Sequence, residues 1–151
     1  MICMDSRSDG CFFSSIQTEA VPFTCVFDLV RKVDQCCSQM DTPQANVELR
    51  YFGNKNPMHR RRRRGKKKPE VVHNPAILSV RGRAATFVVT VLFRQNTSLQ
   101  GIVQWCDGKA VLPFRSALEL LHLMDSAIEM KGKNIRKRPA KSAAVFQSVG
   151  L

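Results

Sequence analysis

Five consecutive arginines, Arg60, Arg61, Arg62, Arg63 and Arg64, are followed after one glycine by Lys66, Lys67 and Lys68, with no acidic residue among them. The chemistry such a run suits best is contact with phosphate. Guanidinium is planar, permanently charged and matched to bidentate recognition of phosphate oxygens. Five in a row repel one another strongly unless an anion lies near. The plain alternative is a solvated linker, the usual state of a charge run. A second cluster holds Lys131, Lys133, Arg136, Lys137 and Arg138, with Lys141 just beyond. Ten basic residues stand between Arg50 and Lys68 and six between Lys131 and Lys141, and neither segment contains an acid. The chain has 24 basic and 12 acidic residues, so the remainder holds 8 bases against 12 acids, net −4. The excess positive charge is confined to two segments attached to a near-neutral body.

Other chemistry finds less support. The sequence has no GxSxG, P-loop, GxGxxG or HExxH pattern. Its three histidines, His59, His73 and His122, are scattered. Six cysteines include the adjacent Cys36 and Cys37, and none has the CxxC spacing of a structural zinc or redox motif. They read as reduced thiols serving as small apolar groups. No catalytic residue, metal site or cofactor is expected, and the protein is read as non-enzymatic. Asp34 and Asp125 read as polar surface or as a helix-end contact. Arg94, Gln95 and Asn96 read as turn chemistry, with Arg94 paired to a carboxylate such as Glu119. Alternatively Arg94, Trp105 and Arg115 form a contact surface for a protein partner.

These side chains must be held by a small domain. At 151 residues and 44% hydrophobic content the chain can bury one core. No apolar run approaches the roughly 20 residues that span a bilayer. The opening MICMDSRSDG lacks the apolar core of a secretory signal. The expectation is a cytoplasmic protein with no membrane contact.

Ala85 to Arg94 is rich in β-branched and aromatic residues and apolar on both faces, which suits a central strand. Leu99 to Cys106 predicts a second strand, Asp107-Gly108 a hairpin turn, and Lys109 to Phe114 a third strand in which Pro113 belongs at an edge. Ser116 and Glu119 form a capping-box signature for a helix that should end near Lys131-Gly132. The predicted fold class is α+β, a small antiparallel meander with a helix packed on one face, in the order β-β-β-α. The first half echoes it. VPFTCVFDLVRKVD from Val21 aligns with LPFRSALELLHLMD from Leu112, matching Pro22/Pro113, Phe23/Phe114, Leu29/Leu120 and Asp34/Asp125. Two degenerate copies of one unit would explain the echo, as would chance similarity between two amphipathic helix starts. A helix from about Thr24 to Met40 is expected, with Val26, Val30, Val33 and Cys37 inward. Short strands are possible in CFFSSIQTEA, in 46–52 and in Ala76 to Val80. The organisation is thus 1–52 as an N-terminal α/β segment, 53–70 as a basic flexible loop, 71–130 as the β-β-β-α core and 131–151 as a basic tail.

The motifs Arg94-Gln95-Asn96, Gly101, Trp105, Phe114-Arg115-Ser116, Leu118-Glu119-Leu120 and Met124-Asp125-Ser126-Ala127 occur in this order within residues 85–128. That string resembles a family of short bacterial proteins with no assigned activity. The resemblance covers under a third of the chain and implies a bacterial source, but no reaction. The residues together point to a protein that associates with nucleic acid, largely without regard to sequence. Its contacts would be Arg60, Arg61, Arg62, Arg63, Arg64, Lys66, Lys67 and Lys68, together with the cluster from Lys131 to Arg138. A sequence-blind grip suits a flexible arm that follows a phosphate backbone. RNA and DNA are not separated by this reading, and oligomeric state is left open. The rival is a protein-binding inhibitor or regulator of a phage or mobile element, anti-CRISPR-like in style, that docks on a nucleic-acid-handling complex.

Overall fold

A computed structural model describes residues 1–17, 19–46, 52, 70–71 and 74–136. The long strand predicted in the second half is present as Ala85–Phe93, flanked by Gln100–Trp105 and Ala110–Phe114. These become β4, β5 and β6 because three short strands precede them: β1 (Ile2–Met4), β2 (Gly10–Phe12) and β3 (Val21–Phe23). All six form one antiparallel sheet in the order β3-β2-β1-β4-β5-β6. Helix α1 (Val26–Met40) follows β3, and helix α2 (Ala117–Arg136) follows β6. The fold class is α+β, and the N-terminal segment completes the same sheet as the core.

Each half has the order β-β-β-α, and the halves meet where β1 pairs with β4. The 91-residue echo is structural. Phe23 and Phe114 close the third strand of each half and are both buried, as are Leu29 and Leu120 one helical turn into α1 and α2. Gly10 pairs with Phe23, and Gly101 pairs with Phe114. Each glycine sits where a neighbouring backbone allows no side chain. An added Cβ would lie 2.1 Å from the Cys3 carbonyl oxygen at Gly10, and 2.0 Å from that of Thr90 at Gly101.

Strand periodicity decides what is buried. Ile2, Met4, Phe12, Phe23, Phe87, Val103 and Phe114 share one face and join Leu29, Leu120, Met124 and Ala127 of the helices in a single core. The opposite face carries Thr90, Ile102, Gln104, Val111 and Pro113 over β4 to β6, and these are exposed. Both edge strands contain a proline, Pro22 in β3 and Pro113 in β6. A proline has no N–H to offer an incoming strand, so it blunts an edge against further pairing.

Both helices start with a side-chain cap. The Glu119 amide donates to Ser116 Oγ at 3.1 Å, and the Asp28 amide donates to Cys25 Sγ at 3.4 Å. The Glu119 carboxylate accepts from the Arg115 amide at 2.6 Å, one residue earlier than a capping box places it. That bond, then the Arg115 guanidinium, holds the carboxyl below its ordinary range. Ser116→Ala is expected to cost about 0.5–2 kcal/mol, read as a shift of the urea midpoint at unchanged slope. No shift of the midpoint would show that the cap does not hold the helix.

The structure departs from the sequence expectations at several places. Helix α2 does not stop at Gly132 but continues to Arg136, so the basic tail begins inside a helix. Gly132 is exposed, and a Cβ there would meet nothing within 4 Å. An interior glycine costs a helix about 1 kcal/mol but does not by itself end it. Residues 75–79 form a short 3-10 helix, not a strand. Asn74 caps it by accepting from the Ala76 amide at 3.1 Å, and Pro75 starts it with its fixed φ. In CFFSSIQTEA the strand is β2, which ends at Phe12, so Phe13 and Ile16 lie outside it. Thr24 and Cys25 precede α1. The expected strand at 46–52 and the basic loop at 53–70 fall largely outside the described residues.

Candidate functional site

The charged groups of the body are mostly spent on one another. Arg31 and Lys32 bind Asp28 at 3.1 and 2.7 Å, Arg83 binds Asp5 at 3.6 Å, and Arg115 binds Glu119 at 3.5 Å. Lys131 binds Asp107 at 3.2 Å, and Lys133 approaches Glu129 at 4.0 Å. Two members of the predicted phosphate-contacting set, Lys131 and Lys133 on α2, are therefore already next to carboxylates. Arg136 lies in the last turn of that helix. The rest of the set, Arg60, Arg61, Arg62, Arg63, Arg64, Lys66, Lys67, Lys68, Lys137 and Arg138, lies outside the described residues.

Chain direction fixes where the basic segment starts and returns. Ala45 forms a parallel bridge with Arg94, and the Asn46 amide donates to the Arg94 carbonyl at 3.2 Å, just before the segment. After the segment, the Ala84 amide donates to the Met4 carbonyl at 2.8 Å, and the Gly82 amide donates to the buried Thr86 hydroxyl at 2.9 Å. The segment is thus a long insertion between α1 and β4, tethered beside both ends of β4. It joins the two β-β-β-α halves.

Arg94 does not reach Glu119. Its guanidinium binds Asp34 at 2.8 Å and donates to Ser38 Oγ at 2.8 Å and to the Pro43 carbonyl at 3.3 Å. Arg7 makes the matching contacts in the other half, to Asp125 at 3.3 Å and Glu129 at 3.1 Å. The correspondence runs residue by residue. Asp34 and Asp125, and likewise Ser38 and Glu129, sit at the same places in α1 and α2. Arg7 and Arg94 each stand three residues past the strand residue that pairs with Gly10 or Gly101. Each half thus uses an arginine after its first strand to grip the helix of the other half. The two aspartates are not plain surface but tie the halves together. The grips differ in exposure: the Arg94 side chain is 11% exposed and that of Arg7 59%. Arg94→Ala should cost about 1.5–3 kcal/mol by leaving a half-buried carboxylate without its charged donor, whereas Arg7→Ala should cost about 0–1 kcal/mol. Equal losses in thermal unfolding would contradict this assignment.

Arg94, Trp105 and Arg115 are not one surface. Arg94 and Arg115 lie at one end of the sheet, and Trp105 pairs with Phe87 at the other. The indole packs against the β5–β6 turn. A Cβ on Gly108 would lie 2.1 Å from the ring. The glycine in this turn is explained by that ring, while the left-handed position belongs to Lys109 at φ 53°. The indole Nε1 is buried with no partner among the described residues. Asp107 secures the turn by accepting from the Thr86 amide at 2.9 Å.

Cys3 and Cys11 face each other across β1 and β2. Burial is the main cause that pushes the Cys3 thiol up to about 11, with Cys11 next. Burial also raises Cys11, Cys36 and Cys37. Thiols held protonated in this way are poor nucleophiles. The exposed Cys25 should therefore be alkylated first by iodoacetamide and Cys3 among the last, as peptide mass spectrometry can follow. Faster labelling of Cys3 than of Cys25 would overturn this order.

Among the described residues no group of three or more His, Cys, Asp or Glu side chains could hold a metal ion. No described helix is long and apolar enough to cross a membrane. A shallow groove lined by Met4, Val26, Leu118, Leu121 and Ile128 opens between the start of α1 and α2, and the Arg7–Asp125 pair sits at its side. No family model, no curated protein and no solved structure matches this chain.

Proposed function

We propose that the protein is a non-enzymatic nucleic-acid-associating protein of the bacterial cytoplasm, which holds phosphate backbones through the basic segment at 60–68 and, second to it, through the cluster at 131–138. The observation that carries this reading is the distribution of charge. On the body, Arg7, Arg31, Lys32, Arg83, Arg94, Arg115, Lys131 and Lys133 all sit against carboxylates. The run from Arg60 to Lys68 has eight fixed positive charges and no acid. Charges already paired within a fold gain little by releasing a neighbour to bind phosphate. Charges without an acid in their own segment gain the full release of counterions from the nucleic acid.

The arrangement also suggests how binding is organised. The insertion is tethered at two points beside β4, so its charges follow a backbone of any sequence within reach. The contacts are to phosphate, and specificity for base edges is not expected. Within the second cluster, Lys137 and Arg138 contribute more than Lys131, which binding would draw away from Asp107.

Protein purified at low salt should carry nucleic acid, seen as a raised ratio of absorbance at 260 to 280 nm. Nuclease or high salt should restore the ratio of a protein with one Trp and one Tyr. A ratio already at the protein value in low salt, with no retention on a phosphate-bearing column, would count against the proposal.

A further inference from the structure

The groove between the start of α1 and α2 is apolar and open. Met4, Val26, Leu121, Met124 and Ile128 line it, and Leu118, 65% exposed, stands at its rim. Its volume is about 260 Å³. Pockets for small ligands run to about 300–1,000 Å³, so this one suits a few side chains better than a free ligand. The first half of the fold shows how such a place is covered. There the chain leaving α1 turns back over the Arg94–Asp34 pair. The Pro43 carbonyl accepts from Arg94 at 3.3 Å, and the Asn46 amide donates to the Arg94 carbonyl at 3.2 Å. Under that cover the Arg94 side chain is 11% exposed. In the second half the equivalent Arg7, beside the groove, is 59% exposed. The chain leaving α2 is described only as far as Arg136.

We infer that the segment from Ala143 to Val149 fills this groove, folding back along α2 so that Val145 and Phe146 lie between the two helices. Four observations select this occupant. First, it belongs to the chain that follows α2, as 41–46 follow α1, and 41–46 cover the equivalent pair. Second, residues 143–151, AAVFQSVGL, carry no charge and offer Val145, Phe146 and Val149 to an apolar seat. Third, the reach is right. Along α2 the groove extends from Ile128, about 12 Å before Arg136, to Leu121, about 23 Å before it. The link 137–142 spans up to about 20 Å when extended, which brings Ala143 to Phe146 level with the groove. Pro139 suits the reversal, since proline does not continue a helix. Fourth, the charges match. The link holds Lys137, Arg138 and Lys141 and no acid. On its way back it passes Asp125 and Glu129, whose carboxylates are half-exposed. Seated in this way, the segment tethers the second basic cluster to the body at both ends, as the insertion between α1 and β4 is tethered.

The test is photocrosslinking of the full chain, freed of nucleic acid, with p-benzoylphenylalanine in place of Phe146. Irradiation at low micromolar concentration is followed by peptide mass spectrometry. The expected product keeps the mass of one chain, about 17.0 kDa, and joins position 146 to 117–129 or to 25–31. Leu118→Glu, at the exposed rim of the groove, should cut the yield of that link severalfold. Val111→Glu, exposed on the opposite face of the sheet, should leave the yield unchanged. Circular dichroism of each protein checks that the fold is retained. Absence of the link overturns the inference, as does a link that Leu118→Glu does not weaken. A product of twice the mass also overturns it, because the occupant would then be the tail of a second copy. No nucleic acid takes part, so failure here leaves the phosphate reading standing, and failure of that reading leaves this link in place.

Discussion

Replacing Gly101 by alanine should destabilise the fold by about 3 kcal/mol or more, although it adds only one methyl group. The new Cβ would lie 2.0 Å from the Thr90 carbonyl oxygen and about 3 Å from the Thr90 carbonyl carbon and Val91 Cα. All three are backbone atoms of β4, so no side-chain rotation relieves the overlap. β4 and β5 would have to part at the middle of the sheet, where Gly101 also pairs with the buried Phe114. Overpacking a tight site costs about 1–3 kcal/mol where neighbours can move, and more where they cannot. A domain with about 5–15 kcal/mol in total would lose a large share of its stability. Gly10→Ala should behave alike, because its Cβ would lie 2.1 Å from the Cys3 carbonyl oxygen. Gly132→Ala is the internal control. It fills open space on an exposed helix and should stabilise by about 0.5–1 kcal/mol. Urea unfolding of the three variants distinguishes these outcomes. Similar effects at positions 101 and 132 would contradict the strand pairing.

The second large effect is on salt dependence. If about 6–10 of the basic charges in the two segments meet phosphates, the affinity for a duplex should fall about 10³–10⁵-fold between 50 and 200 mM salt. Duplexes of unrelated sequence should give the same slope within error, since backbone contacts do not read bases. Single strands should give a slightly shallower slope, in proportion to about 0.7 against 0.9 per phosphate contact. A slope near zero would mean that the charges are spent on solvent and that whatever binds does so by other means. Fluorescence anisotropy across a salt series measures the slope directly.

Much of the second half can be read from its sequence because strand and helix there are long. Ala85–Phe93 exceeds the length at which strand composition speaks for itself, and Ser116 and Glu119 mark the start of α2 within one residue. The three-residue strands β1, β2 and β3 offer no such signal. Ile2–Met4 becomes a strand because β2 and β4 pair on its two sides, which is a tertiary fact. In sequence, the likeness of the two halves shows only as an echo around the two Pro-Phe pairs. The path from Met4 to its pairing partner Gly10 spans six residues and that from Val91 to Gly101 ten, so the offset between halves is 87 before the two glycines and 91 from there on. That change hides the match between Arg7 and Arg94, and with it the two reciprocal grips. Turn chemistry after the long strand points Arg94 to a carboxylate such as Glu119. The sheet instead carries β4 past β1 and over the end of α1, where Asp34 waits. Gly108 reads as a turn residue for its φ, and it serves instead to let an indole ring lie close. Charge segregation needs no structure to be seen, since it depends on composition along the chain and not on packing.

That the charge run at 60–64 grips phosphate is tested most directly by comparing the parent chain with a variant in which Arg60, Arg61, Arg62, Arg63 and Arg64 are all glutamine. Both are titrated by anisotropy against one duplex and one single strand across the same salt series. Circular dichroism and urea unfolding should coincide for the two proteins, because five consecutive arginines offer no apolar face to a core. The variant is expected to lose affinity for duplex and single strand alike, and its salt slope should fall by about 0.9 for each duplex phosphate contact removed. A variant that binds both ligands as tightly as the parent, with the same slope, would contradict the phosphate grip and leave the run a solvated linker.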